Sequence, residues 1–291
     1  MPARESPAQE GLGSGARGRR RGGATRSVAA VGLAEQLKEG ARRQTELEML
    51  AAELETARRV QQTILDPIAG RGQLDGLAIN ITYLPMNGTV SGDYYNATVM
   101  PDDRLSLLIG DTAGHGLHAA MTTMQIDAIR KGLQLTAPAE GLQRLNEAFV
   151  NTLQSRNFVT AFWCSLERAS GDLIYASAGH PTQYLVKVSE RSLPGLKARG
   201  KPVGIVRGEY EAGRIQLDEG DVLILFTDGV EECENPATEQ YGEERLKQHL
   251  IEWVQRDVPP MEWNALLVQS LRDFMDGDAF QDDVTIITLQ Y

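Results

Sequence analysis

The sequence predicts an α+β fold in which pairs of helices cover layers of antiparallel sheet. Short apolar segments of strand length are joined by turns, as at Ser170-Gly171-Asp172, which separates the predicted strands 158–166 and 173–177. Helical segments also come in pairs, and they are segregated from the strands along the chain. These pairs are 117–134 with 139–155, and 242–256 with 262–275. No internal repeat is visible, so the pattern does not indicate a repeat architecture.

The N-terminal segment, residues 1–32, is rich in Gly, Arg, Ala and Ser and holds almost no large apolar side chains. Because such a segment cannot bury enough surface to offset the entropy of ordering it, we expect it to be disordered. The run Arg19-Arg20-Arg21 could contact a nucleic acid or an acidic membrane, although a solvated tail is the simpler interpretation.

A helix is predicted from about Leu33 to residue 66, and Pro67 ends it. Within it, side chains spaced alternately three and four residues apart form a heptad seam with one polar member. The members are Leu47, Leu50, Leu54, Ala57, Gln61 and Ile64. The seam is short for a stand-alone coiled coil. It could pack on its own domain or pair with a second subunit.

Beyond Pro67 the pattern changes to short strands. Leu77, Ile79, Ile81 and Tyr83 alternate with other residues, as in a half-buried strand. Further apolar strands are predicted at 104–109, 183–188, 222–226 and 284–290.

Composition and charge exclude several classes of function. The net charge is −11, although residues 1–30 carry six Arg against two Glu, so the remainder is strongly acidic. An acidic body argues against nucleic acid as the main ligand. Cys164 and Cys233 have no CxxC neighbour, which argues against a disulfide framework or zinc cage and favours a reducing cytoplasm. No apolar run approaches the roughly 20 residues that span a bilayer, so we expect no membrane segment.

Four aspartates stand beside turns at the ends of strand-like segments: Asp93, Asp111, Asp228 and Asp282. Turn chemistry could explain any one of them, since Asp-Gly is a common turn signal. It explains all four together less well, because a buried carboxylate is costly unless it is paired or bound to a metal. Carboxylates that converge from several strands make an oxygen-rich pocket, which suits Mg²⁺ or Mn²⁺ rather than zinc.

Six motifs, in order, resemble the PPM-type metal-dependent serine/threonine protein phosphatases, and most of all their SpoIIE/RsbU-like branch. The motifs are SGDYYN (91–96), GDTAGHGLHAA (110–120), SAGHPTQYL (177–185), KPVGIV (201–206), FTDGVEE (226–232) and QDDVT (281–285). The resemblance covers about residues 57–291. It implies a four-layer α-β-β-α sandwich of mainly antiparallel sheets flanked by helices. Residues 67–291 would form the phosphatase domain, with 33–66 as a helical linker that could dimerise it.

The resemblance also implies a set of metal ligands. In that family two metal ions activate a water that attacks the phosphorus directly. The ligands match Asp93, Asp111, Asp228 and Asp282, together with the main-chain carbonyl of Thr112. Two Mn²⁺ or Mg²⁺ ions are therefore expected, with Asp93 and Asp111 facing the edge that the two ions share. Asp283 is interpreted as supporting the ligands from outside.

Two histidines and three departures from the family's pattern also bear on the site. His115 could protonate the leaving serine oxygen as a catalytic acid, or hydrogen-bond structurally. His180, at a strand-to-loop junction, is expected to brace the site rather than ligate metal. Ser91 replaces the first glycine of Gly-Gly-Asp, and Asn96 stands where relatives commonly carry an acid. No arginine matches the one that grips phosphate in the eukaryotic branch.

The function that the resemblance implies is a cytoplasmic phosphatase acting on phosphoserine or phosphothreonine. Its expected substrate is a phosphorylated STAS-type regulator, an anti-sigma factor antagonist in a partner-switching pathway, and a homodimer is expected through the N-terminal helix. The alternative is a catalytically silent module of the same fold that binds or scaffolds phosphoproteins. A weaker alternative is a regulator tethered to nucleic acid by its Arg-rich tail. The presence of all four ligand aspartates favours the enzyme.

Overall fold

Two antiparallel sheets form the middle of the fold. The computed structural model describes residues 20–65, 72–86, 90–114, 116–133, 137–152 and 158–291. Its strands are β1 (Gln73–Leu74), β2 (Leu77–Leu84), β3 (Asp93–Val99), β4 (Arg104–Thr112), β5 (Val159–Glu167), β6 (Asp172–Ala178), β7 (Gln183–Val186), β8 (Gly195–Leu196), β9 (Gly213–Gln216), β10 (Val222–Phe226) and β11 (Val284–Gln290). The first sheet has the order β1-β2-β11-β10-β7-β8, and the second has the order β3-β4-β5-β6-β9.

The protein has five α-helices in its described part, and helices cover the outer faces of both sheets in the unit that contains them. They are α1 (Arg20–Leu65), α2 (Leu117–Gly132), α3 (Pro138–Thr152), α4 (Gly242–Gln255) and α5 (Trp263–Met275), with a 3-10 helix at Pro260–Glu262. Helix α3 packs on β5 and β6 of the second sheet, whereas α5 packs on β2 and β11 of the first. The predicted four-layer α-β-β-α sandwich is therefore confirmed.

Strand β10 shows how the first sheet separates two cores. Leu223 and Leu225 belong to the core that the two sheets share, whereas Ile224 and Phe226 belong to the core beneath α4 and α5. Successive side chains of a strand point to opposite faces, so one apolar strand can serve both cores. The predicted strand 222–226 matches β10 because a segment buried on both faces is apolar throughout.

Helix α1 differs from the prediction at its start, whereas its last residue, Leu65, lies next to the predicted end at residue 66. It begins at Arg20, which corrects the prediction of disorder for residues 20–32; residues 1–19 lie outside the described part of the chain. This stretch has no Pro, and its three Ala and three Arg favour a helix, although its three Gly oppose one. The compact unit that contains the sheets starts at Leu54, earlier than the predicted boundary at residue 67. Among the described helices, none is long and apolar enough to cross a bilayer.

Candidate active site

The pairing of β3 with β4 brings two of the predicted ligands together. Asp93 starts β3, and it lies directly opposite Asp111, the penultimate residue of β4. Side chains of directly opposed residues share a face, with Cβ atoms about 4.5–5.5 Å apart. The next residue, Thr112, is buried and donates its N–H to the carbonyl of Gly92 at 3.1 Å. The two strands therefore hold two acids side by side before any other element contributes.

Strands β10 and β11 bring the other two predicted ligands to one edge of the first sheet. The strands are antiparallel neighbours, with Phe226 opposite Ile286. Asp228 lies two residues after β10 and Asp282 two residues before β11, so both leave the sheet at the same end. The chain arrives at this edge from two distant segments, which explains why spacing along the sequence alone cannot show the cluster.

The two oxygens of the Asp93 carboxylate have different surroundings. Oδ2 accepts hydrogen bonds from the hydroxyls of Thr227 at 2.8 Å and Thr285 at 2.6 Å. Oδ1 is buried and has no hydrogen-bond partner among the residues that the structure describes. A buried acceptor without a partner is costly and needs an explanation in a folded protein.

Asp282 and Asp283 are adjacent but have different environments. Both oxygens of the buried Asp283 accept main-chain N–H groups, from Met86 at 2.6 Å and from Gly92 at 2.7 Å. Asp282 is exposed, and its Oδ1 accepts the N–H of Asp283 at 2.8 Å. This arrangement agrees with the interpretation of Asp283 as a support. It leaves Asp282 as the member of the pair that is open to a ligand.

Electrostatic repulsion connects the acids of the two sheets. Burial, followed by the charges of Asp93 and Asp228, raises the pKa of Asp111 to about 10. The pKa of Asp93 is also raised well above its usual value, first by burial and then by the charge of Asp283. Burial and the charge of Asp282 raise the pKa of Asp228 to about 6. Acids that repel one another in this way lack a compensating positive charge.

The donor set fits divalent cations in its chemistry. In the described ranges, no group of three acidic, histidine or cysteine side chains already surrounds one point as a finished metal cage would. The unpartnered Oδ1 of Asp93, the oxygen-only ligands and the mutual repulsion of the acids are nevertheless what Mg²⁺ or Mn²⁺ would satisfy. Asp93, Asp111, Asp228, Asp282 and the carbonyl of Thr112 are the groups that would hold such ions.

Two glycines are required by close approaches at this edge. A Cβ on Gly229 would lie 2.0 Å from the carbonyl oxygen of Asp283, so the residue after Asp228 must lack a side chain. A Cβ on Gly92 would lie 3.0 Å from the carbonyl oxygen of Thr112. Glycine therefore lets the segments that carry the acids pack backbone against backbone.

A side chain of helix α1 holds the segment in front of Asp93. The amide of Gln61 donates to the carbonyl of Ser91 at 2.7 Å and accepts the N–H of Ser91 at 3.1 Å. It also donates to the hydroxyl of Thr123 in α2 at 2.9 Å. The hydroxyl of Ser91 in turn accepts the N–H of Asp93 at 3.0 Å. In the sequence, Gln61 stands out only as the polar member of the seam, and this is the one signal that could have indicated the contact.

His180 connects the second sheet to the end of β10. Its Nε2 donates to the carbonyl of Phe226 at 3.2 Å, because a carbonyl can only accept. Nδ1 therefore accepts the hydroxyl of Thr160 at 2.9 Å, and Thr160 lies opposite Asp111 across β4 and β5. Burial lowers the pKa of His180 to about 3, so the ring is neutral. These contacts agree with the predicted bracing role. His115 lies outside the described residues, and its catalytic role stays a prediction.

Comparison with known proteins gives both a family and a fold. The family described as Stage II sporulation protein E (SpoIIE) matches residues 101–291. The chain is 30% identical over 248 residues to the phosphoserine phosphatase RsbU of Bacillus subtilis, covering 83% of this chain and 70% of RsbU. It is 28% identical over 287 residues to protein IcfG of Synechocystis sp., covering 88% of this chain and 43% of IcfG. The chain therefore spans less than half the length of that relative.

Solved structures show the same fold at lower identity. The SiaA-PP2C domain of Pseudomonas aeruginosa superposes with a TM-score of 0.72 at 21% identity, covering 84% of this chain and 98% of that domain. RsbX in complex with magnesium gives a TM-score of 0.58 at 17% identity, covering 75% of this chain and 96% of RsbX. The family match covers well over half of the chain, and the motifs, fold and relatives agree with it. The chain therefore belongs to the SpoIIE family, and its resemblance to the SpoIIE/RsbU-like branch of the PPM-type phosphatases is confirmed.

Proposed function

We propose that the protein is a metal-dependent serine/threonine protein phosphatase that hydrolyses a phosphorylated regulatory protein without a phosphoenzyme intermediate. The observation that carries the proposal is the paired Asp93 and Asp111, with one buried oxygen of Asp93 left without a partner in the described structure. When bound, two divalent cations would lower the pKa of water and neutralise phosphoryl oxygens. Membership in the SpoIIE family and the likeness to RsbU support this activity.

The protein's own groups have separable tasks in this proposal. Asp93 and Asp111 would hold cations from the second sheet, and Asp228 and Asp282 would hold them from the first. Without cations, this cluster of acids would repel a phosphate group, so the same residues that bind metal make substrate binding depend on it. The His180 brace fixes the end of β10 from which the Asp228 segment leaves.

We propose a STAS-type anti-sigma factor antagonist, phosphorylated on serine, as the substrate. RsbU is named a phosphoserine phosphatase, and the resemblance to its branch suggests a partner-switching pathway in the cytoplasm. We further propose that the enzyme is a homodimer through α1. The exposed apolar side chains Leu47 and Leu50 on one stripe of that helix support a second copy as the partner.

The rival is a catalytically silent module that binds phosphoproteins. It would need no cation, and the unpartnered oxygen of Asp93 would then be an uncompensated cost. The presence of all predicted ligand aspartates at one edge of the fold opposes this reading.

Hydrolysis of p-nitrophenyl phosphate and of a phosphoserine peptide, with and without Mn²⁺, tests the activity. We expect turnover that requires Mn²⁺ and that falls at least about a hundredfold in Asp228→Ala, because one of the groups that positions the cations is lost. Asp273→Ala, which removes an exposed aspartate of α5, is the matched control and should retain activity.

Full turnover after thorough chelation, or in Asp228→Ala, would contradict the mechanism. Absence of turnover by the wild-type protein with either Mn²⁺ or Mg²⁺ would favour the silent module. Comparison of lysate phosphoproteomes with the wild type and with Asp228→Ala would identify the phosphoserine that disappears.

A further inference from the structure

We infer that Thr227 and Thr285 are positioning residues that fix the Asp93 carboxylate so that only its Oδ1 is presented to a cation. The inference rests on the proposed function, because it concerns how this chain prepares one of its ligands. Neither threonine was assigned a role by the sequence motifs in which it occurs, TDG and DDVT.

The two hydroxyls occupy one oxygen of the carboxylate. Thr227 follows β10 and Thr285 lies in β11, and both side chains are fully buried. Their Oγ1 atoms donate to the same Oδ2 of Asp93, at 2.8 Å and 2.6 Å. A carboxylate oxygen has two lone pairs, so two donors fill its capacity. The capacity of Oδ1 stays unused within the described structure.

The main chain sets the direction in which the Thr227 hydroxyl donates. The N–H of Thr285 donates to Oγ1 of Thr227 at 3.0 Å, and the N–H of Thr227 donates to the carbonyl of Thr285 at 3.1 Å. Because Oγ1 of Thr227 already accepts from this side, its own proton is left to point at Asp93. The Thr227 hydroxyl therefore donates to Asp93 in a direction set by the main chain, and Thr285, which is paired with Thr227 through the main chain, donates to the same oxygen.

This pair also connects the two sheets at the site. Asp93 belongs to the second sheet, whereas both threonines belong to the end of the first, next to Asp228. Donation from two hydroxyls favours the charged carboxylate over the neutral acid, which opposes the effect of burial. We therefore expect the Asp93 carboxylate to be held in one orientation relative to Asp228.

The competing explanation is that the hydroxyls of Thr227 and Thr285 only stabilise the fold. A third threonine can distinguish this explanation from a positioning role. Thr288 lies on the same strand, is equally buried and donates its hydroxyl to Oδ1 of Asn264 at 2.6 Å. It lies an odd number of residues from Thr285, so it points to the other face, toward α5. Replacing it with valine removes the same kind of bond without touching Asp93.

The test compares Thr227→Val, Thr285→Val, Thr285→Ser and the control Thr288→Val in the full chain. The affinity for Mn²⁺ is measured by calorimetry on metal-stripped protein, with folding checked by circular dichroism and thermal unfolding. We expect each valine variant at 227 and 285 to bind Mn²⁺ about tenfold more weakly or worse, as for loss of a hydrogen bond to a charged group. Thr285→Ser should bind as the wild type does. Thr288→Val should unfold at a lower temperature and keep its Mn²⁺ affinity within about twofold.

Kinetics give a second readout. The Mn²⁺ concentration for half-maximal activity should rise in Thr227→Val and Thr285→Val. At saturating Mn²⁺, kcat should be reduced by a smaller factor, relative to the wild type, than the Mn²⁺ affinity is. If the wild type and both variants bind Mn²⁺ equally, the inference fails and the proposed function stands. If the wild type binds no Mn²⁺, both fail. Should Thr285→Val not fold, Thr227→Val alone decides the matter.

Discussion

The heptad seam of helix α1 runs from Leu47 to Ile64, and its two halves meet different surroundings. In the first half, Leu47 and Leu50 are 62% and 50% exposed. At the other end, Gln61 and Leu65 are each only 2% exposed, and Leu65 belongs to the core that the two sheets share. The same spacing of side chains therefore predicts a helix in both halves, but it does not say what covers each half.

The polar member of the seam shows the difference most directly. A polar residue at a seam position often fixes the register of a coiled-coil partner. Gln61 instead binds the main chain of Ser91 and the hydroxyl of Thr123, both in its own compact unit. The sequence left open whether the seam packs on its own domain or pairs with a second subunit. At its C-terminal end, the contacts of Gln61 show that it packs on its own domain.

Around the first half of the seam, ion pairs on the surface of α1 stabilise the helix. Arg43 pairs with Glu39, and Arg42 with Glu46, one helical turn away and exposed to solvent. Such pairs contribute only a few tenths of a kcal/mol each. An apolar stripe between charged side chains stays available for a second copy of the helix, as the proposed homodimer requires.

The largest contrast between the halves is expected from leucine truncation. Leu65→Ala should lower the free energy of unfolding by about 2–5 kcal/mol, because it leaves a cavity in the shared core. Leu47→Ala, the matched substitution in the first half, should change the free energy of unfolding of the monomer by less than about 0.5 kcal/mol, so the comparison is made at a protein concentration at which the chain is monomeric. Urea unfolding followed by tryptophan fluorescence measures both. Equal effects would mean that the two halves do not differ as the structure shows.

A smaller effect is expected from removing the Gln61 amide. Gln61→Met keeps the volume but leaves the buried main-chain groups of Ser91 without their partner, at a cost of about 1–3 kcal/mol. The Mn²⁺ concentration for half-maximal activity should also rise, since the segment leading into Asp93 is held less firmly. Gln62→Met, one residue along and more exposed, is the control. If both substitutions change stability and the Mn²⁺ requirement equally, the hydrogen bonds between Gln61 and Ser91 have no special role.

The smallest effect on the catalytic unit is expected at the exposed stripe. The double variant Leu47→Lys with Leu50→Lys should change unfolding and turnover per site little, because both side chains are exposed. Its sedimentation should nevertheless change from dimer to monomer, since buried lysines oppose a helix pair. A chain shortened to begin at Leu54, where the compact unit starts, provides the monomer reference. If full-length protein already sediments as a monomer at every concentration, the proposed dimer is wrong.

The sequence predicted strongly patterned elements well and weakly patterned ones poorly. The predicted strands 222–226 and 284–290 coincide with β10 and β11, because both are rich in β-branched or other apolar side chains and are buried in the middle of a sheet. The short edge strand β9 was missed, because only its pairing with β6 makes it a strand. The same holds for β1 and β8, which have two residues each.

For the site, the motifs identified the acids but not the groups that orient them. Asp93, Asp111, Asp228 and Asp282 could be chosen because all four stand beside turns at the ends of strand-like segments and match the ligand positions of the family that the chain resembles. Thr227 and Thr285 could not, since their bonds to Asp93 join residues 134 and 192 positions apart.

The sequence by itself determined the α+β class, the helices and main strands, and the acids with their preference for a hard divalent cation. These properties depend on local periodicity and side-chain chemistry, which are visible in short segments. The tertiary structure alone decided which oxygen of Asp93 is left free among the described residues, which main-chain N–H groups the two oxygens of Asp283 accept, and where along α1 the compact unit begins. Those outcomes depend on hydrogen bonds and packing between distant segments, and no local pattern encodes them.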